Sequence, residues 1–132
     1  LIQAAMMGTG ALLCVAAFVE LDPGLVGAAR VSFGVTLAID LFAILLGELG
    51  IPHASELAAR AAHEIRRGRY ARGFWWGAIV LGHLVPLVLL LVPSLGPGSS
   101  LWLGALAAAC AGVGLYIYEY AFVMAPQELP NS

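Results

Sequence analysis

The chain has 132 residues, 61% of them AVILMFWYC and only 11% charged, too few charges to cover the surface of a water-soluble domain of this size. Its mean hydropathy of +0.94 makes the lipid bilayer the solvent that the composition demands. A net charge of −2, with Arg outnumbered by acids and no Lys at all, excludes the basic surface of a nucleic-acid-binding protein.

In chain order, four apolar segments are long enough to cross: residues 1–19, 25–49, 74–92 and 101–124. Each gives roughly 19 to 25 residues against the ~20 needed for ~30 Å of hydrocarbon. A strand in lipid would leave backbone amides unpaired, so helices are the only reading. The expected fold is therefore all-α, a polytopic transmembrane helix bundle of four spanning helices plus a short interfacial amphipathic helix, in a single membrane domain.

The first segment also admits a signal-peptide reading, but it has no charged n-region and no soluble mature region follows it. No initiator Met opens the chain, which reads as part of a larger membrane subunit. Breaks fall at Asp22-Pro23-Gly24, at the loop 51–73 and at Pro93-Ser94-Leu95-Gly96-Pro97-Gly98. The two cysteines, Cys14 and Cys110, lie inside apolar runs and behave as small hydrophobes rather than as a disulfide or iron–sulfur ligand set.

Five of the six basic residues, Arg60, Arg66, Arg67, Arg69 and Arg72, fall in the loop 51–73. By the positive-inside rule this loop is cytoplasmic, and the turns at 20–24 and 93–100 face outward; Arg30 alone counts against that orientation. Within the loop, Ser55 is a suitable N-cap and Glu56 favours the positive helix end. Arg66 and Arg67 favour the negative end, and Gly68 can close the helix. Leu57, Ala61 and Ile65 form an apolar stripe for the bilayer or the bundle, while Arg60, Glu64 and Arg67 face water. This is an interfacial strap or a docking surface for a peripheral subunit.

Phe74-Trp75-Trp76 with Tyr70, and the group Tyr116, Tyr118 and Tyr120, sit at the expected headgroup depth, where an aromatic belt accounts for them and a quinone ring could also stack. Gly104, Ala108 and Gly112, and Ala4 with Gly8, recur at intervals of four and predict close helix packing.

Three ionisable residues in or beside the spans are candidates for chemistry. Asp40 is near the middle of the second span, where a lone carboxylate costs ~2.5–3.5 kcal/mol or more unless paired or neutral. Glu48 follows on the same helix about 12 Å further along, and His83 lies halfway along the third span. Asp40, Glu48 and His83 near one another would make a proton path; the plainer reading is interhelical hydrogen bonding that fixes packing. Bis-His haem ligation lacks a second intramembrane His, since His53 and His63 are in the loop. No Walker loop, dinucleotide fingerprint, metal-ligand set or nucleophile constellation occurs, so no self-contained active site is expected.

Gly47-Glu48-Leu49-Gly50-Ile51-Pro52-His53, Ile65-Arg66-Arg67-Gly68-Arg69-Tyr70, Phe74-Trp75-Trp76-Gly77 and Leu81-Gly82-His83-Leu84-Val85-Pro86-Leu87 follow one another in an order that resembles the NrfD/PsrC family of polytopic membrane subunits. The closing Ala125-Pro126-Gln127-Glu128-Leu129-Pro130-Asn131-Ser132 is similar to that family's terminal Gly-Gln-x-x-Pro-x-Ser pattern, with Pro126 where the family has Gly and Glu119 in a region that is often basic. Residues 1–46 agree only in being membrane helices, and four spans are fewer than the eight or more common there.

The resemblance implies an integral subunit of a bacterial or archaeal inner-membrane respiratory oxidoreductase, such as polysulfide reductase-like enzymes or alternative complex III. It would exchange electrons between menaquinone or ubiquinone and an adjacent iron–sulfur ferredoxin-like subunit, with proton translocation in some members. It assigns no quinone-binding residue here. A purely structural or assembly subunit is the rival of a different class, and an ion-coupled transporter fragment a third, disfavoured by the lack of paired broken helices.

Overall fold

A computed structural model describes residues 1–50, 55–92 and 99–128, with the side chains of Glu48 and Ser99 left out. Residues 51–54 of the Arg loop, the 93–98 break and the closing 129–132 lie outside the described residues. Among those described, the fold is all-α without strands: α1 (Ile2–Ala16), α2 (Pro23–Leu45), α3 (Glu56–Arg66), α4 (Gly73–Leu91) and α5 (Ser99–Gln127). Three helices, α2, α4 and α5, are long and apolar enough to cross a bilayer. The first segment is helical over 15 residues, shorter than the others, so a fourth span is not established by its length.

Local chemistry explains the helix ends. The Asp22 carboxylate accepts from the Leu25 N–H at 2.9 Å and Pro23 occupies the first turn, an arrangement that satisfies one orphan amide and presets the backbone for α2. Ser55 does the same for α3, accepting from Ala58 N–H at 3.2 Å. At the other end of α3, Gly68 N–H bonds the carbonyls of His63 and Glu64, closing the helix where the sequence places its stop.

Both faces of α2 are apolar. Ala29, Phe33, Leu37, Asp40 and Ile44 form its buried stripe, and Val31, Val35, Ile39, Phe42 and Leu46 form an outward one on which Val31 is 68% and Phe42 66% exposed. A helix apolar all round has no face for water, which is the physical signature of a lipid-facing element. Asp40 therefore shares a stripe with core residues and points into the bundle.

The long α5 is the spine, packing against α1, α3 and α4. One core gathers Met6, Leu13, Phe33, Leu37 and Ala107 from α1, α2 and α5; a second gathers Ile44, Ala61, Ile65, Phe74 and Ala121 beneath α3. As expected for the strap, Ala61 and Ile65 are buried against the bundle, whereas Leu57 remains exposed. Glu128, just beyond α5, accepts from the Arg69 guanidinium at 2.5 Å and from the Tyr70 hydroxyl at 2.7 Å, tying the strap to the end of the spine. That hydrogen bond, followed by desolvation and the nearby carboxylate charge, holds the Tyr70 phenol above its ordinary pKa.

The expected small-residue contacts are met in part. A Cβ on Gly104 would sit 3.7 Å from Leu13, and Ala108 is buried beside Gly10, but Gly8 and Gly112 have nothing within 4 Å. The tightest approach lies elsewhere, between Gly82 of α4 and Gly114 of α5, whose backbones touch so closely that neither can carry a Cβ without displacement.

Gly114→Leu should therefore push α4 from α5 and destabilise the bundle by about 1–3 kcal/mol, the usual range for overpacking, whereas Gly112→Leu should be near neutral. Thermal unfolding of both variants in detergent checks the contrast; equal melting temperatures would show that the Gly82–Gly114 contact is not tight.

Candidate functional site

Of the three candidate residues, the structure brings two together. Asp40, on the buried stripe of α2, is 4% exposed, and His83, on the inner face of α4, is 1% exposed. His83 Nε2 lies 3.1 Å from Asp40 Oδ2, and His83 Nδ1 lies 2.8 Å from the carbonyl oxygen of Ala78 on its own helix. Glu48 falls in a single turn of wider winding, Leu46–Gly50, that continues α2; its side chain is outside the described residues.

Those two contacts fix the number of protons. A backbone carbonyl can only accept, so Nδ1 must carry its hydrogen and donate it to Ala78. With Nδ1 protonated, a neutral ring would offer a lone pair at Nε2, and an ionised Asp40 would offer another at Oδ2. Two lone pairs 3.1 Å apart repel, so a proton lies between them. It belongs either to an imidazolium donating to a carboxylate or to a carboxylic acid donating to a neutral imidazole. Both arrangements have zero net charge, which makes the burial of two ionisable groups tolerable.

Local winding sets the imidazole in place. The first twelve residues of α4, Gly73–Leu84, are wound with i→i+5 hydrogen bonds, and Val85 N–H still reaches the Val80 carbonyl. Such winding occurs mostly as single turns, often at functional sites. Pro86, which has no N–H to give, follows where the helix returns to α-geometry over Val85–Leu91. Gly82, next to His83, lets α5 close against the same turn.

Sequence reasoning missed a second polar bridge. Arg30 reaches from α2 to the far end of α4 and the start of α5, donating to the carbonyls of Leu90 at 2.6 Å and Ser100 at 3.1 Å. A lone Arg within a span is itself the signal for this bridge, since its donors need acceptors away from water. The aromatic groups form ring contacts at the α3 end, including Tyr70 with Tyr120 at 6.3 Å and Tyr116 with Tyr120 at 6.5 Å; Trp76 is 70% exposed. Among the described residues no group of three or more His, Cys, Asp or Glu is placed to hold a metal ion.

No family model, no curated protein and no solved structure matches this chain.

The shared proton predicts how Asp40 variants behave. Asp40→Asn can donate its amide N–H to Nε2 of a neutral ring and should cost about 1 kcal/mol or less. Asp40→Ala leaves Nε2 as a buried unsatisfied acceptor and should cost about 1–3 kcal/mol, with a cavity term added. Unfolding midpoints in detergent separate the two, and an Asn variant as unstable as the Ala variant would contradict the hydrogen bond.

Proposed function

We propose that the chain is an integral membrane subunit of a respiratory oxidoreductase. It exchanges electrons between the quinone pool and an adjacent iron–sulfur subunit, and the Asp40–His83 pair handles protons that quinone chemistry takes up or releases. The observation that carries this reading is the buried pair itself, a carboxyl and an imidazole 3.1 Å apart between two apolar helices. Intramembrane ionisable pairs are expensive, and proton relays are among the functions that retain them. The quinone and iron–sulfur partners rest on the resemblance of the motifs from Gly47 to Pro86 to the NrfD/PsrC family.

In this reading α1 is the fourth span, and the Arg-rich loop 51–73 faces the cytoplasm of a bacterial or archaeal cell, supported by its five Arg. Passing a proton onward requires the pair to gain or lose one, and with both side chains closed to solvent that step needs a movement or a neighbouring acceptor. Glu48, further along the same helix, is the acid proposed to serve it.

A second reading has its own support: the pair bridges α2 and α4, which otherwise share few contacts, and this suits a structural subunit whose chemistry is only adhesion. The two readings diverge in the intact assembly. Asp40→Asn, which keeps the shape and a hydrogen bond but cannot ionise, should assemble normally and slow quinol-dependent electron transfer by about a hundredfold, the low end for losing a proton-transfer group. Glu48→Gln should act in the same direction more weakly. Unchanged turnover in an assembled Asp40→Asn complex would leave the pair as a packing element, and the lack of any co-purifying iron–sulfur subunit would remove the electron-transfer reading.

A further inference from the structure

At the end of the bundle opposite α3 lies a cavity of about 660 Å³, bounded by Leu13 of α1, Val26, Gly27 and Arg30 of α2, Leu90 of α4 and Leu101 of α5. Its walls are mostly apolar, and Arg30 is the cation among them. The guanidinium has five N–H donors; its bonds to Leu90 and Ser100 satisfy donors but not charge, since both acceptors are neutral carbonyls. Among the described residues no carboxylate pairs with Arg30, and the nearby Asp22 is engaged as the cap of α2.

Depth identifies the missing anion. Arg30 is seven residues into α2 from Pro23, about 10 Å along the axis at ~1.5 Å per residue, which puts a long side chain within reach of the boundary between acyl chains and headgroups. The anion present at that boundary in every membrane is the lipid phosphodiester. A guanidinium fork suits phosphate, and the apolar walls behind it suit hydrocarbon.

We propose that this cavity is a phospholipid site, with the phosphodiester held by the remaining N–H donors of Arg30 and an acyl chain seated against Leu13, Val26, Gly27 and Leu101. The lipid neutralises the cation and fills a gap between α1, α2, α4 and α5 that the described side chains leave open. It is independent of the proton chemistry at Asp40, which lies further along α2.

Two substitutions test it. A Cβ on Gly27 meets nothing within 4 Å, so Gly27→Leu places a side chain in the acyl seat without a clash at Cβ and improves helix propensity. Arg30→Gln keeps an amide donor for the carbonyls and removes the charge. Full-length wild type and both variants are extracted in mild detergent, washed through repeated detergent exchange and assayed by native mass spectrometry and lipid phosphorus. Wild type should retain phospholipid, and Arg30→Gln about tenfold less, as the loss of a charge-assisted hydrogen bond implies; Gly27→Leu should also retain less, because its side chain occupies part of the acyl seat. Lipid-stripped wild type should rebind phospholipid from mixed micelles and show no uptake of inorganic phosphate alone.

Equal retention by all three proteins, or no retention by wild type, overturns the site. Loss in Arg30→Gln alone would mean a headgroup contact without an acyl seat, and loss in Gly27→Leu alone an apolar gap without phosphate recognition; either contradicts the proposal. Binding of inorganic phosphate by the stripped protein would make the occupant a free anion rather than a lipid.

Discussion

A carboxyl group buried within a membrane helix must either find a partner or pull water in after it, and the arrangement of this bundle follows from how Asp40 finds one. The cost of an unpaired charge at that depth is several kcal/mol, comparable with the whole stability of a small domain. His83 meets it across the gap between α2 and α4, and the Ala78 carbonyl holds the far nitrogen of the ring. Along α2, Asp40 sits between Leu37 of one apolar core and Ile44 of the other, so the polar contact falls between the two.

That contact depends on backbone geometry more than on the two side chains. Wide winding over Gly73–Leu84 and the Gly82–Gly114 approach press α4 onto α5 at the turn that carries His83. A side chain at either glycine would displace α4 from α5, and with it the turn that carries His83. Arg30 performs a related task at the other end, where its two carbonyl acceptors join the end of α4 to the start of α5. Two polar bridges from α2 thus fix a helix pair whose outer surfaces are covered with Val, Leu and Phe and have no preference among lipid orientations.

The sequence made the helical class and the costly polar positions legible, because hydropathy and charge placement act locally. The strap could be read from Ser55, Glu56, Ala61, Ile65 and Gly68, each of which acts within one helix turn of its own position. Asp40 was legible as a residue in need of a partner, and His83 as a candidate partner, but their distance was not, since it depends on how α2 and α4 are rotated. The close glycine pair was not legible for the same reason: Gly104, Ala108 and Gly112 satisfy the spacing rule, yet α5 turns Gly114 toward α4 and leaves Gly112 open. The i→i+5 winding had no sequence signal beyond the glycines and Pro86. The four-span count rested on apolar length alone, and the helix in the first segment is shorter than that length.

The central claim is that Asp40 and His83 hold one proton between them while Nδ1 of the ring stays protonated against Ala78. Nitrogen-15 NMR of the His83 imidazole in bilayers measures it most directly, with assignment by comparison with a His83→Gln sample. The account predicts a protonated, hydrogen-bonded Nδ1, retained in Asp40→Asn while Nε2 takes the shift of a neutral acceptor. A ring protonated at Nε2 alone, with a bare Nδ1, would contradict it, because neither the Ala78 contact nor the shared proton could then exist.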